Sequence, residues 1–146
     1  MGAKQDRNRA TLQKFYDEAI GKGNVDIIDE LMAEDFVHHG DALFPYIGGS
    51  AAIKAGVGGV KAAFPDGKTI IEDTVAEGDI VVSRLSWTGT HLGTMMGKEA
   101  TGKKMSWKGI STYRFNEEGL IVERWANQDV VPMLIELGIL PQMGPS

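Results

Sequence analysis

The sequence predicts an α+β domain in which helices come first and an antiparallel meander of strands follows. Three observations carry that prediction. Apolar residues recur at helical spacing up to Phe64, and from Thr69 onward the period drops to two. The change falls on Pro65-Asp66-Gly67, a strong break. The later segments are joined by tight polar turns, Glu77-Gly78-Asp79 and Asn116 to Gly119, which suit antiparallel neighbours rather than a doubly wound sheet.

Leu12, Phe15, Tyr16, Ala19 and Ile20 share one helical face, and Gly21 and Gly23 supply the stop. Asn24 is placed to cap a second, short helix that turns Ile28, Leu31 and Met32 to one side. Phe36 to His39 reads as a short extended piece, and Asp41 to Gly49, with Pro45, as a loop. Ser50 is placed to cap a third helix whose stripe is Ile53, Val57, Val60 and Phe64. Strands are expected at Thr69 to Val75, Ile80 to His91, Lys104 to Phe115 and Leu120 to Asp129. Pro132 suits the first turn of a terminal helix through Leu137, stopped by Gly138. Gly89 and Gly109 inside long strands suggest bulges and a strongly bent sheet.

The 146 residues suit one domain, with a core spanning about residues 10–140. There is no cysteine, which removes thiol catalysis, disulfides and cysteine-based zinc sites and suits a reducing cytoplasm. A net charge of −5, with no basic cluster, argues against nucleic acid. Apolar runs fall short of the roughly 20 residues that cross a bilayer, so no membrane partner is expected. Met1 to Arg9 is polar and carries no secretory signal. These points together lead us to expect a soluble, cytoplasmic protein.

Strand parity nominates the residues that meet inside. Val81, Ser83, Leu85, Trp87, Gly89 and His91 share one face; so do Met105, Trp107, Ser111, Tyr113 and Phe115. In the last strand the expected inner set is Ile121, Trp125, Asn127 and Asp129, provided no bulge intervenes. Asp129 then has two readings. It caps the terminal helix, or it is a carboxyl held half-dry against tryptophans, its pKa raised toward proton transfer. His91, at the end of a strand beside a glycine loop, either donates to an oxyanion or shuttles a proton, or else packs at the rim with its nitrogens satisfied. Trp87, Trp107 and Trp125 either fill the core or form a flat wall for a planar ligand. His38 and His39 are adjacent, so at most one of them faces inward. His38, His39, His91 and Asp129 show no dense ligand spacing, and no metal or other cofactor is expected.

The ordered motifs Phe64-Pro65-Asp66, Ala76-Glu77-Gly78-Asp79, Gly89-Thr90-His91-Leu92-Gly93, Thr101-Gly102-Lys103 and Gly119 through Asp129 resemble the SnoaL-like polyketide cyclases, as does the leucine-glycine ending at Leu137-Gly138. That resemblance implies a cystatin-like α+β barrel related to nuclear transport factor two, with N-terminal helices on a curved antiparallel sheet. It also implies a homodimer or higher homo-oligomer formed through the sheet's outer face. The implied reaction is a cofactor-independent intramolecular aldol closure of a hydrophobic, carbonyl-rich small molecule, an acid/base reaction of lyase or isomerase type. On the family pattern Asp129 is the acid/base group and His91 its polar partner. His39 is the pocket histidine, and Trp107, Trp125, Tyr16 and Asn127 line the cavity. A hydrolase or isomerase, or a non-catalytic hydrophobic-ligand-binding dimer, is the alternative on the same fold.

Overall fold

The computed structural model describes residues 2–142 and Gly144. Helix α1 (Ala3–Lys14) runs directly into a wider π-helical segment, Phe15–Gly21, and a short turn leads to α2 (Ile28–Leu31). Strand β1 (Met32–His38) and helix α3 (Ser50–Ala63) follow. Then come β2 (Lys68–Glu77), β3 (Ile80–Thr90), β4 (Lys104–Phe115), β5 (Ile121–Asp129) and the short α4 (Val131–Glu136). The five strands form one sheet in the order β1-β5-β4-β3-β2. Its neighbours are antiparallel except at one edge, where β1 pairs parallel with β5, so the sheet is mixed.

The helices close over the inner face. Leu12, Phe15, Ile28, Ile53 and Phe64 from the helical layer meet Val81, Met105, Tyr113, Phe115 and Ile121 from the sheet in one continuous core. Each large apolar side chain removed from water there contributes roughly 1.5–3 kcal/mol. The expected strand boundaries hold to within a few residues. The expected side-chain caps do not form: neither Asn24 nor Ser50 makes a capping hydrogen bond, and Gly49 occupies the N-cap of α3.

The expected bulges at Gly89 and Gly109 do not form. The β3–β4 register runs unbroken from Ile80↔Arg114 to Thr90↔Lys104. Gly109 instead allows close approach, since a Cβ there would lie 2.5 Å from Gln128 Oε1. Register shifts occur between Ile71 and Asp73, and between Arg114 and Phe115. The second shift decides the site. Phe115 pairs with Ile121 but Arg114 pairs with Glu123, so Val122 is an extra residue that reverses the facing of everything after it.

Candidate active site

Because of that bulge, Arg124, Ala126 and Gln128 point inward opposite Tyr113, Ser111 and Gly109, and Trp125, Asn127 and Asp129 point outward. Asp129 is exposed and lies opposite Lys108 on the outer face. The expected carboxyl among indoles is thereby corrected, along with the inward placement of Asn127 and Trp125. β1 pairs His38 with the inward-facing Arg124. His38 is fully buried, and His39 turns outward, stacks on Trp125 with ring centroids 5.0 Å apart and meets Glu123 Oε2 at 2.7 Å. The inward histidine is therefore His38.

Of the expected residues, Tyr16, Trp87 and Trp107 do come together around one cavity. It holds about 30 Å³ and is also lined by Leu43, Phe44, Val60, Arg124 and Gln128. Trp87 and Trp107 are cross-strand partners with stacked rings, centroids 3.6 Å apart, and Phe64 sits edge-on to both. This is the flat aromatic wall that the strand pattern suggests.

The cavity's other end is polar, and here the sequence reading missed the residues that matter. Arg124 is 1% exposed. Its Nε donates to Tyr113 Oη at 3.0 Å, and Tyr113 Oη lies 2.6 Å from Tyr16 Oη. Its Nη1 donates to Asp41 Oδ2 at 3.0 Å and to His38 Nδ1 at 3.3 Å. Asp41 Oδ1 accepts the backbone N–H groups of Leu43 and Phe44 at 2.8 and 3.0 Å, which folds the loop back onto the cavity. With Nδ1 accepting from Arg124, the proton of His38 sits on Nε2, 2.9 Å from the Phe44 carbonyl. Desolvation by burial, with the Arg124 charge adding to it, holds the His38 pKa below its ordinary value.

Burial works against the guanidinium charge, but the Asp41 carboxylate and the hydrogen bond to Tyr113 outweigh it, and Arg124 is held more firmly protonated than usual. Tyr113 is pushed well above its ordinary value, chiefly by burial, and keeps its proton. A buried arginine needs a buried partner, and only the folded chain brings Asp41 to it. The signal in the sequence was Asp41 at the head of an otherwise apolar loop, together with the parity of Arg124 once a bulge is allowed.

His91 is fully buried beside Phe64, behind the aromatic wall rather than on the cavity surface. Its Nδ1 accepts from the Thr101 N–H at 3.2 Å and lies 3.0 Å from Thr101 Oγ1. Its Nε2 has no hydrogen-bond partner among the described residues. Among the described residues no three His, Asp or Glu side chains gather where they could share a metal ion. No helix among them is long and apolar enough to cross a membrane.

The fold is shared with solved structures. AclR of Streptomyces galilaeus, provisionally described as a hydroxylase, is 28% identical, with a TM-score of 0.82 over 96% of this chain and 86% of that one. A provisional polyketide cyclase from Acidithiobacillus ferrooxidans is 27% identical, with a TM-score of 0.82 over 95% and 99%. IdmH of Streptomyces antibioticus, also a provisional polyketide cyclase, is 29% identical, with a TM-score of 0.78 over 90% and 98%. Among curated proteins none matches the sequence. The model of the SnoaL-like polyketide cyclases matches residues 10–137, and the chain belongs to that family.

Proposed function

We propose that the chain is a cofactor-independent cyclase that closes a ring in a hydrophobic, carbonyl-rich small molecule by an aldol-type reaction. One observation carries this reading beyond family membership. A buried guanidinium and a pair of phenols stand at one end of a small aromatic cavity. Because Arg124 Nε–H donates to Tyr113, the Tyr113 proton is best directed to Tyr16, which leaves the Tyr16 O–H free to donate into the cavity. A substrate carbonyl oxygen placed there meets a fixed donor backed by a permanent positive charge, in surroundings drier than water.

A carbon flanked by two carbonyls is already acidic, and stabilising its enolate oxygen makes it more so. The leaving proton passes to a water molecule, for which about 30 Å³ is room enough. The enolate carbon attacks the second carbonyl, a C–C bond forms, and the new alkoxide takes a proton from Tyr16, which solvent restores. Holding a flexible chain against the Trp87–Trp107 wall supplies much of the barrier reduction. In this reading Asp129 stays outside, out of contact with the reacting atoms.

The test uses deuterium exchange at the central methylene of ethyl acetoacetate in heavy water. Wild-type protein should accelerate that exchange, and Tyr16→Phe should lose about a hundredfold of the acceleration. Product mass separates the alternatives: ring closure alone conserves mass, hydrolysis adds one water, and a carrier binds without exchange.

A further inference from the structure

The cavity beside Tyr16 and Arg124, at about 30 Å³, takes the reacting end of a carbonyl-rich chain but not the whole of one. A second space of about 310 Å³ lies next to it, between α3 and the turn at Met95 to Lys98, lined by Tyr46, Gly56, Gly59, Phe64, Met95 and Met96 among others. Leu43 and Val60 line both spaces. Phe44, a wall of the first, rests on Gly56, a wall of the second, so closely that a Cβ at Gly56 would run into its ring. Leu43, Phe44 and Val60 side chains therefore form the partition.

Two further features mark the second space. Its lining contains no carboxylate, histidine, lysine or arginine, and its rim exposes large apolar surface, with Tyr46 at 61% and Met96 at 53%. Such surface at a concave mouth marks a ligand site more often than chance packing does. Met96 also has φ 47, alone among the described non-glycine residues in the left-handed region, where Asn or Gly would sit more easily. Backbone strain here presents an unbranched, adaptable side chain to the opening.

We infer that this space is the second chamber of the substrate site. It receives the uncharged apolar arm of a substrate whose carbonyl end lies at Tyr16 and Arg124. The inference rests on the functional reading above and adds to it a substrate class: a carbonyl head carrying an alkyl or flat aryl tail.

Gly59 provides the test. It is an exposed helical position lining the second chamber, and a Cβ there meets nothing within 4 Å. Gly59→Leu therefore fills the chamber while favouring the helix. Binding of acetoacetate esters from ethyl to decyl is followed by quenching of tryptophan fluorescence. In wild-type protein, Kd should fall about fourfold per methylene once the tail leaves the first chamber. In Gly59→Leu that gain should vanish, with a melting temperature no lower than that of wild type. Equal chain-length dependence in both proteins, no chain-length dependence in wild type, or no ester binding at all would each overturn the inference. Tail selectivity lost in Gly59→Leu, without methylene exchange in wild type, would sink the cyclase reading and leave the second chamber standing.

Discussion

β1, β4 and β5 carry two similar polar groups on opposite sides of the same backbone. Inside, His38, Tyr113 and Arg124 join Asp41; outside, His39, Arg114 and Glu123 join Asp79. His38, Tyr113 and Arg124 are each the chain neighbour of an outer residue. The distances are alike too, with Arg124–Asp41 at 3.0 Å and Arg114–Glu123 at 3.2 Å. Exposure separates them: 1% on both partners of the inner pair, 42% and 28% on the outer. Outside, the His39 hydrogen bond, helped by Arg114, keeps Glu123 below the usual carboxylate range, but water and salt share in that work. Inside, nothing else can replace a lost partner. Chain neighbours thus do different jobs, and only the inner group can hold charge in a dry site.

The sharpest break of this comparison is Asp41→Ala. It strands Arg124 in the core and should destabilise the fold by about 3–5 kcal/mol in urea unfolding. Adding Arg124→Met should restore much of that loss, because no lone charge is then left buried. A double variant no better than the sum of the singles would deny the coupling.

His38 offers a smaller, pH-dependent effect. Its folded pKa lies below the ordinary 6.5, so the unfolded chain takes up a proton before the folded one does. Stability attributable to His38 should be present above pH 6.5 and decline as pH falls below it. His38→Gln should flatten that part of a melting-temperature profile. An unchanged profile would remove the neutral, buried histidine from the account.

The outer pair should give the smallest change in stability. Glu123→Gln is expected to cost at most about 1 kcal/mol, and less in high salt. Ile110, half exposed on that face, sharpens the contrast. We propose this face as the subunit contact, so Ile110→Glu should lower the mass seen by light scattering and leave methylene exchange as it was.

The fold was readable because two periodicities and their punctuation are local properties. Parity along β3 and β4 correctly turned Trp87, Trp107 and Tyr113 inward, since no residue is inserted between those strands. Parity failed along β5 at Val122. A bulge among β-branched and charged residues carries no glycine to announce it, and one inserted residue exchanges Arg124 for Trp125 and Gln128 for Asp129. Parity also established that only one of His38 and His39 enters the core, but which one depends on β1 lying parallel to β5, a pairing between distant segments. Arg124 does not stand out as an inner residue, because charged residues rarely bury. The carboxylate that permits its burial lies 83 positions away, in what reads as an ordinary loop.

We propose that chemistry runs from the inner polar corner and not from the carboxylate at the end of β5. Methylene exchange in ethyl acetoacetate, measured side by side for Tyr16→Phe and Asp129→Asn, tests it most directly. We expect about a hundredfold loss in Tyr16→Phe, with a melting temperature close to wild type, and a rate within a few-fold of wild type in Asp129→Asn. The opposite pattern, an inert Asp129→Asn beside an active Tyr16→Phe, would contradict the account.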